Sequence, residues 1–304
     1  MLLPADYVRD AAAMDRKNWP LSESLAYTRW LATHHYENFH VVSFLLPKRL
    51  HQDFYNVYSF CRWADDLGDE IGNTSESLRL LDWWRKELDD MYQGETRHPV
   101  FTALRGTVVK YGIPKQPFAD LIRAFVQDQT VTRYETWEGV LNYCVYSANP
   151  VGRLVLYLCG YSDAERQTLS DSTCTALQLA NFWQDVTVDL LKDRVYIPLE
   201  VLERNRYTVE ELFSRRMNQN FRKVMIDILE RARTLFIQGL PLARMVDRRL
   251  AIDLDLFSRG GMHVLKKIEQ QNYDVLSHRP AISKLERVGL LLASVARMTI
   301  GRAA

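Results

Sequence analysis

"CRWADDLGDE", residues 61–70, places four acids in its last six positions, on a stretch that otherwise repeats like a buried helix. Ionised carboxylates crowded together are costly unless something compensates them. On a helical wheel Tyr58, Arg62, Asp65 and Asp69 fall at i, i+4, i+7 and i+11, which is one face. Val57, Phe60, Ala64, Leu67 and Ile71 make a second, apolar face that can pack. The division predicts a polar stripe awaiting a positive charge, with Tyr58 and Arg62 adding groups that grip oxyanions. A solvated acidic surface is the plain alternative, but few lysines intersperse these acids.

Another stripe repeats the pattern. In "TALQLANFWQDVTVDLLKDRVYIP", residues 175–198, Gln178, Asn181, Asp185 and Asp189 stand at i, i+3, i+7 and i+11. Leu179, Trp183, Val186 and Leu190 form the packing side. Two predicted helices about 120 residues apart thus each carry two acids one turn apart. Hard divalent cations such as Mg2+ take oxygen ligands, often one or two carboxylates plus substrate phosphates. Acid-bearing helices facing each other across a bundle can hold a Mg2+–diphosphate cluster. A di-iron centre would need Glu-x-x-His pairs, which these stripes lack.

Helical periodicity extends along the chain. Apolar residues recur at three and four over 25–31, 54–71, 78–91, 118–127, 140–158, 173–190, 221–240 and 250–268. Alternating strand-type runs are absent. Pro47, Pro99, Pro114, Pro198 and Pro280 fall between these stretches as breakers. Pro150 lies inside "YSANPVGRLVL", where a kink is expected. No repeat, low-complexity tract or flexible linker interrupts the pattern. The expectation is one all-α domain over residues 1–304, a helical bundle around a central cavity.

Composition narrows the function. The 304 residues are 47% apolar with net charge +1, which suggests neither a nucleic-acid groove nor a polybasic patch. Cys61, Cys144, Cys159 and Cys174 form no CxxC pair and read as small apolar residues of a reducing compartment. Acids and an arginine stand near the N-terminus where a signal peptide needs an apolar run, so a cytoplasmic location is expected. The late apolar stretch "VGLLLASVARMTIG", residues 288–301, is broken by Arg297 and too short to span a bilayer. Peripheral contact with the inner membrane face stays open, as does monomer against homodimer.

"DDLGD" at 65–69 and "NFWQDVTVD" at 181–189 resemble the paired DxxxD motifs of the squalene/phytoene synthases. These all-α isoprenoid synthases join prenyl diphosphates head to head. The resemblance runs from "HHYENF" at 34–39 to "QQNYDVLSHRP" at 270–280, and the following "DRVYIP" at 193–198 adds specificity. It implies Asp65, Asp69, Asn181, Asp185 and Asp189 as Mg2+ ligands. It turns Tyr58, Arg62 and His35 toward the diphosphate and lines the cavity with Gln178 and Tyr143. Arg194 and Tyr196 match a flap over the leaving group.

Three departures point to a subgroup. Glu37 stands where enzymes that condense two prenyl diphosphates carry Lys, and Gln184 stands where they carry Arg. A tyrosine usual in the C-terminal helix gives way, near Gly261, within "SRGGMHVL". A site for one diphosphate can spare such donors. The wording "HYENF", "NFWQDV" and "RGG" is similar to the hydroxysqualene synthases of bacterial hopanoid pathways. That resemblance implies a lyase-type reaction of presqualene diphosphate, a prenyl diphosphate lipid, with water, using Mg2+ and no NADPH. A head-to-head synthase condensing two prenyl diphosphates is the alternative; a non-catalytic assembly protein of this fold is a third reading.

Overall fold

The computed structural model describes residues 1–10, 18–34 and 46–300. In chain order the helices are α1 (Pro4–Arg9), α2 (Leu21–His34), α3 (His51–Asp69), α4 (Thr74–Gln93), α5 (Pro99–Tyr111) and α6 (Gln116–Gln127). Then follow α7 (Trp137–Ser147), α8 (Asn149–Leu158), α9 (Ala164–Gln184), α10 (Val186–Leu191) and α11 (Leu199–Arg204). The last four are α12 (Val209–Phe213), α13 (Gln219–Gly239), α14 (Arg248–Gln270) and α15 (Lys284–Ile300). Among the described residues the only strand-like feature is an isolated parallel bridge between Arg133 and Val195. None of their helices is long and apolar enough to cross a membrane.

Backbone contacts divide the chain into two compact units. The first comprises Met1–Thr130 and Pro150–Ser162, the second Val131–Asn149 and Asp163–Ala304.

In the first unit α3 touches α1, α2, α4, α5 and α6. Of the apolar face the wheel predicted, Phe60, Ala64 and Leu67 are wholly buried and Val57 nearly so, while Ile71 falls past the end of the helix and is half-buried; Trp63, which the wheel did not include, is wholly buried too. Trp63 stacks on Trp84 of α4 with centroids 5.0 Å apart, and Phe60 meets Phe118 of α6 edge-on at 4.8 Å. Each such ring contributes roughly 1.5–3 kcal/mol of burial. Nearer its start α3 buries Asp53, which accepts from Thr107 Oγ1, Lys110 Nζ and Tyr111 OH of α5. Hydrophobic and charge-assisted contacts thereby fix the direction in which α3 presents its polar stripe.

α5 corrects a sequence expectation. Pro99 opens this helix at its first position, where a missing N–H costs nothing, instead of separating two stretches. His98 caps it, its Nδ1 accepting from Val100 N. The ring is buried among Tyr7, Trp63, Trp83, Trp84 and Phe101, and burial drives its pKa well below the usual histidine value.

In the second unit α9 lies against α7, α13 and α14. Glycines permit two close approaches. A Cβ at Gly239 would meet Thr173 Oγ1 at 2.0 Å, and one at Gly261 would meet Phe236 Cζ at 2.2 Å. Two long predicted helices break. The stretch 140–158 divides at Ala148, with Pro150 in the first turn of α8. The stretch 173–190 divides at Asp185, whose φ of −105° and ψ of 15° leave the helix. β-branched Val186, Thr187 and Val188 follow that break, and such residues propagate a helix poorly.

Candidate active site

The first acidic motif rides on α3. Tyr58 is buried, Arg62 and Asp65 are half-buried, and Asp69 is exposed. Arg62 Nη1 lies 2.8 Å from Asp65 Oδ2 and 3.2 Å from Asp66 Oδ1. Asp66 is only 4% exposed, so this arginine neutralises a carboxylate that could not remain charged alone. Arg62, expected to face a diphosphate, is thus already engaged by acids of its own helix. The i,i+3 and i,i+4 spacing from 62 was the available signal, and Asp66 was missed because it lies off the stripe. Cys61 beside them is no nucleophile, because burial pushes its thiol up to about 12.

The second motif spans the end of α9 and all of α10. Gln178 is half-buried, Asn181 exposed, and Asp185 and Asp189 intermediate. Asp189 lies beyond the departure from helical geometry at Asp185, although Asp185 N still donates to Asn181 O at 2.8 Å and Asp189 N to Asp185 O at 2.9 Å. Arg279, from the segment between α14 and α15, donates its Nε and Nη2 to the two carboxylate oxygens of Asp185. That pairing raises the Arg279 pKa further. Next to it, buried Gln184 donates to the carbonyl of Pro280. Gln184 is thus a packing and tethering residue, and the cation beside Asp185 comes from Arg279.

The loop after α10 holds the predicted flap. Arg194 N donates to Asp189 O at 2.9 Å and Val195 N to Thr132 O at 2.9 Å. Arg133 donates to the carbonyl of Asp193 and, at 2.6 Å, to its Oδ1. Asp193 has φ of +54°, an unusual backbone for a non-glycine residue, and the Arg133 contacts hold it there. Tyr196 stacks on Phe182 with centroids 3.7 Å apart and planes 4° from parallel. Tyr143 and Tyr134 complete a ring cluster, 5.9 Å from Tyr196 each. A small cleft is lined by Phe182, Asp189, Arg194 and Tyr196. The structure therefore brings Tyr143, Asp189, Arg194 and Tyr196 together in the second unit. Arg133 and Arg279 are the residues that sequence reasoning missed, since their acids lie 60 and 94 positions away.

His35 and Glu37 lie outside the described residues. Gly261 is explained by packing, because Phe236 and Leu177 fill the space where a larger side chain would begin.

The donors on both motifs are hard oxygens. Among the described residues no three Asp, Glu, His or Cys side chains converge closely enough to enclose an ion. Carboxylates in ones and twos suit a Mg2+ whose remaining ligands are phosphate oxygens and water. The residues fit a metal bound together with diphosphate better than one caged by protein alone.

The profile of the squalene/phytoene synthase family matches residues 32–286. A hydroxysqualene synthase of Rhodopseudomonas palustris is 33% identical over 277 residues, 89% of this chain and 93% of its own. The 15-cis-phytoene synthase of Synechococcus elongatus is 28% identical over 294 residues, 92% of this chain and 95% of its own. The crystal structure of squalene synthase HpnC from Alicyclobacillus acidocaldarius matches with TM-score 0.80 at 42% identity, over 84% of this chain and 96% of that one. A dehydrosqualene synthase solved with a ligand matches with TM-score 0.81 at 23% identity, over 92% of this chain and 98% of its own, which speaks to fold alone.

Proposed function

The chain belongs to the squalene/phytoene synthase family, and on that premise we propose that it converts presqualene diphosphate and water to hydroxysqualene and diphosphate. It has the all-α fold of the isoprenoid synthases. The carbon–oxygen bond to diphosphate breaks with the electron pair leaving on oxygen. The resulting cation rearranges, water oxygen bonds to it, and one proton is released. Asp65 and Asp69 on the first motif, and Asn181, Asp185 and Asp189 on the second, are the groups that on each motif would hold Mg2+, which when bound neutralises a leaving group's charge.

The observation that carries this reading is the arginine standing at each acidic motif, Arg62 beside Asp65 and Arg279 beside Asp185. Each can exchange a carboxylate for a diphosphate oxygen as negative charge develops there. Arg194, Tyr58, His35 and Gln178 add further donors in the same reading. The faces of Tyr143, Tyr134, Phe182 and Tyr196 would steady a carbocation and hold bulk water off until it has rearranged. Identity of 33% to two hydroxysqualene synthases, against 28% to the Synechococcus phytoene synthase over a similar length, supports this product over others of the family. A cytoplasmic location, contact with a membrane surface and a place on a route to squalene and hopanoids belong to the same proposal.

Condensation of two prenyl diphosphates is the second reading. Arg279 favours it, because it supplies a cation at the position where Gln184 does not. Purified protein with Mg2+ and presqualene diphosphate, with and without NADPH, separates the two. Hydroxysqualene formed equally in both supports the proposal. Efficient presqualene diphosphate formation from farnesyl diphosphate alone would overturn it.

A further inference from the structure

Arg279 is half exposed, so side-chain packing alone does not fix its guanidinium, and the course of its main chain matters. The residues on either side of it each have their carbonyl taken by a glutamine amide. Gln184 Nε2 donates to Pro280 O, while Gln271 Nε2 donates to His278 O at 2.9 Å and to Asp274 O at 2.8 Å. Gln184 immediately precedes Asp185, so the dipeptides Gln184–Asp185 and Arg279–Pro280 are joined through both of their residues. Gln271 holds the other side. It stands at the end of α14, and Asn272 and Tyr273 follow it with φ of +64° and +65°. A bulky residue rarely takes that conformation, and two in succession turn the chain sharply. Arg222 Nε of α13 donates to Asn272 O at 3.3 Å, and Val275 and Leu276 are buried. The near half of the turn is thus anchored without the Gln271 side chain.

Two plain roles do not account for this side chain. Capping α14 is not its task, because the backbone closes that helix. Gln271 N donates to Lys267 O at 3.1 Å, Asn272 N to Glu269 O at 2.9 Å and Tyr273 N to Ile268 O at 2.8 Å. Satisfying a buried carbonyl is not its task either, since His278 is exposed and water can serve such a group. What the bond does is fix the peptide just before Arg279, within an exposed stretch, 277–279, between buried Leu276 and buried Pro280. We propose that Gln271 is a positioning residue, which holds the main chain at His278 so that the Arg279 guanidinium meets Asp185. Its bearing on catalysis rests on the reaction proposed above, in which Arg279 also meets the diphosphate. Placement on this scale matters, because a misplacement of about 1 Å can cost about a hundredfold in rate.

The test uses the full-length protein and two variants, Gln271→Ala and the isosteric Gln271→Glu, which fills the same space but cannot donate. Phenylglyoxal modifies arginines, and peptide mass spectrometry reads the rate at Arg279 against exposed Arg248 as an internal reference. Both variants should raise the relative rate at Arg279 about threefold or more, since a guanidinium released from a carboxylate reacts as a free one. Calorimetry with Mg2+ and inorganic diphosphate gives the second readout. Gln271→Ala should weaken binding about tenfold in the wild-type background and leave it unchanged in an Arg279→Ala background, because the two residues act as one unit. Equal weakening in both backgrounds would overturn the proposal, as a general structural role predicts that result. So would an unchanged rate at Arg279 in Gln271→Ala, or a Gln271→Glu variant that matches wild type. A wild-type protein that binds no diphosphate, with Arg279 still released in both variants, would count against the proposed reaction and support the positioning.

Discussion

Arg279 reaches back 94 positions along the chain to place two guanidinium nitrogens on the two carboxylate oxygens of Asp185. With Arg279 half exposed, the pair contributes on the order of 0.2–1 kcal/mol to stability. In the proposed reaction its value is to hold a cation where a diphosphate oxygen would arrive. Arg279→Ala should leave the melting temperature within about 2 °C of wild type. Turnover should fall at least tenfold, as expected when a charge-assisted donor is removed. Unchanged turnover would take Arg279 out of the site.

Metal dependence follows from the oxygen-only donor set. Chelation should abolish activity and Mg2+ restore it. Asp65→Asn and Asp185→Asn should each lose two or more orders of magnitude in turnover with the helical circular dichroism unchanged. Mg2+ with diphosphate should raise the wild-type melting temperature, because a ligand selective for the folded state stabilises it. In Asp65→Asn that rise should shrink, which thermal scans with and without diphosphate would measure.

Gln184 is a tether, and substituting it should cost stability. Gln184→Ala leaves the Pro280 carbonyl without its donor, a loss of about 1–3 kcal/mol. Gln184→Arg should cost at least as much, because it forces a charge into a buried position beside Arg279. Urea unfolding measures both. An arginine variant as stable as wild type would show that the pocket around Gln184 accommodates a cation.

Gly261→Ala should destabilise by about 1–3 kcal/mol through overpacking against Phe236. Adding Phe236→Leu to Gly261→Ala removes the ring that the new methyl meets. The double variant should then recover part of the loss beyond the sum of the single effects, which denaturant titration of all four proteins resolves.

His98 makes the first unit sensitive to acid. Its pKa is depressed by burial, so the folded state binds fewer protons than the unfolded chain once the pH falls below about 6.5. Stability should therefore be fully present above that value and decline by up to about 1.4 kcal/mol per pH unit below it. His98→Asn keeps a capping side chain and removes the titration, so its stability should fall less steeply between pH 6.5 and 5. Parallel slopes in the two proteins would assign the acid sensitivity elsewhere.

Long amphipathic helices were legible because their apolar residues repeat with the helical period, as in α3, α4 and α14. α5 was not, since Pro99 reads as a breaker until its place at the first helical position is known. The break at Asp185 was hidden for a different reason. Its flanking residues keep helical spacing on either side, and only three β-branched residues hint at the change. The motif acids were legible as pairs on one face. Their arginines were legible only where the pairing is local: Arg62 meets its acids within one turn, while Arg279 and Arg133 reach theirs across 94 and 60 positions. Gly261 shows the opposite limit, where a substitution suggestive of function is accounted for by the ring of Phe236.

The strap around Arg133 bears on how fast this site can open. Asp193, Arg194, Val195, Tyr196, Leu199 and Glu200 are each fixed, by Arg133, Asp189, Thr132, Phe182, Tyr134 and Glu135 respectively. With its backbone pinned at nearly every step, the loop has no hinge about which to swing as a lid. Any rearrangement over a ligand would therefore fall to side chains and not to the backbone. Side-chain rotation takes picoseconds to nanoseconds, whereas loop and domain closure takes up to milliseconds. In the proposed reaction, a strap held this way would adjust too quickly to set the pace of the cycle.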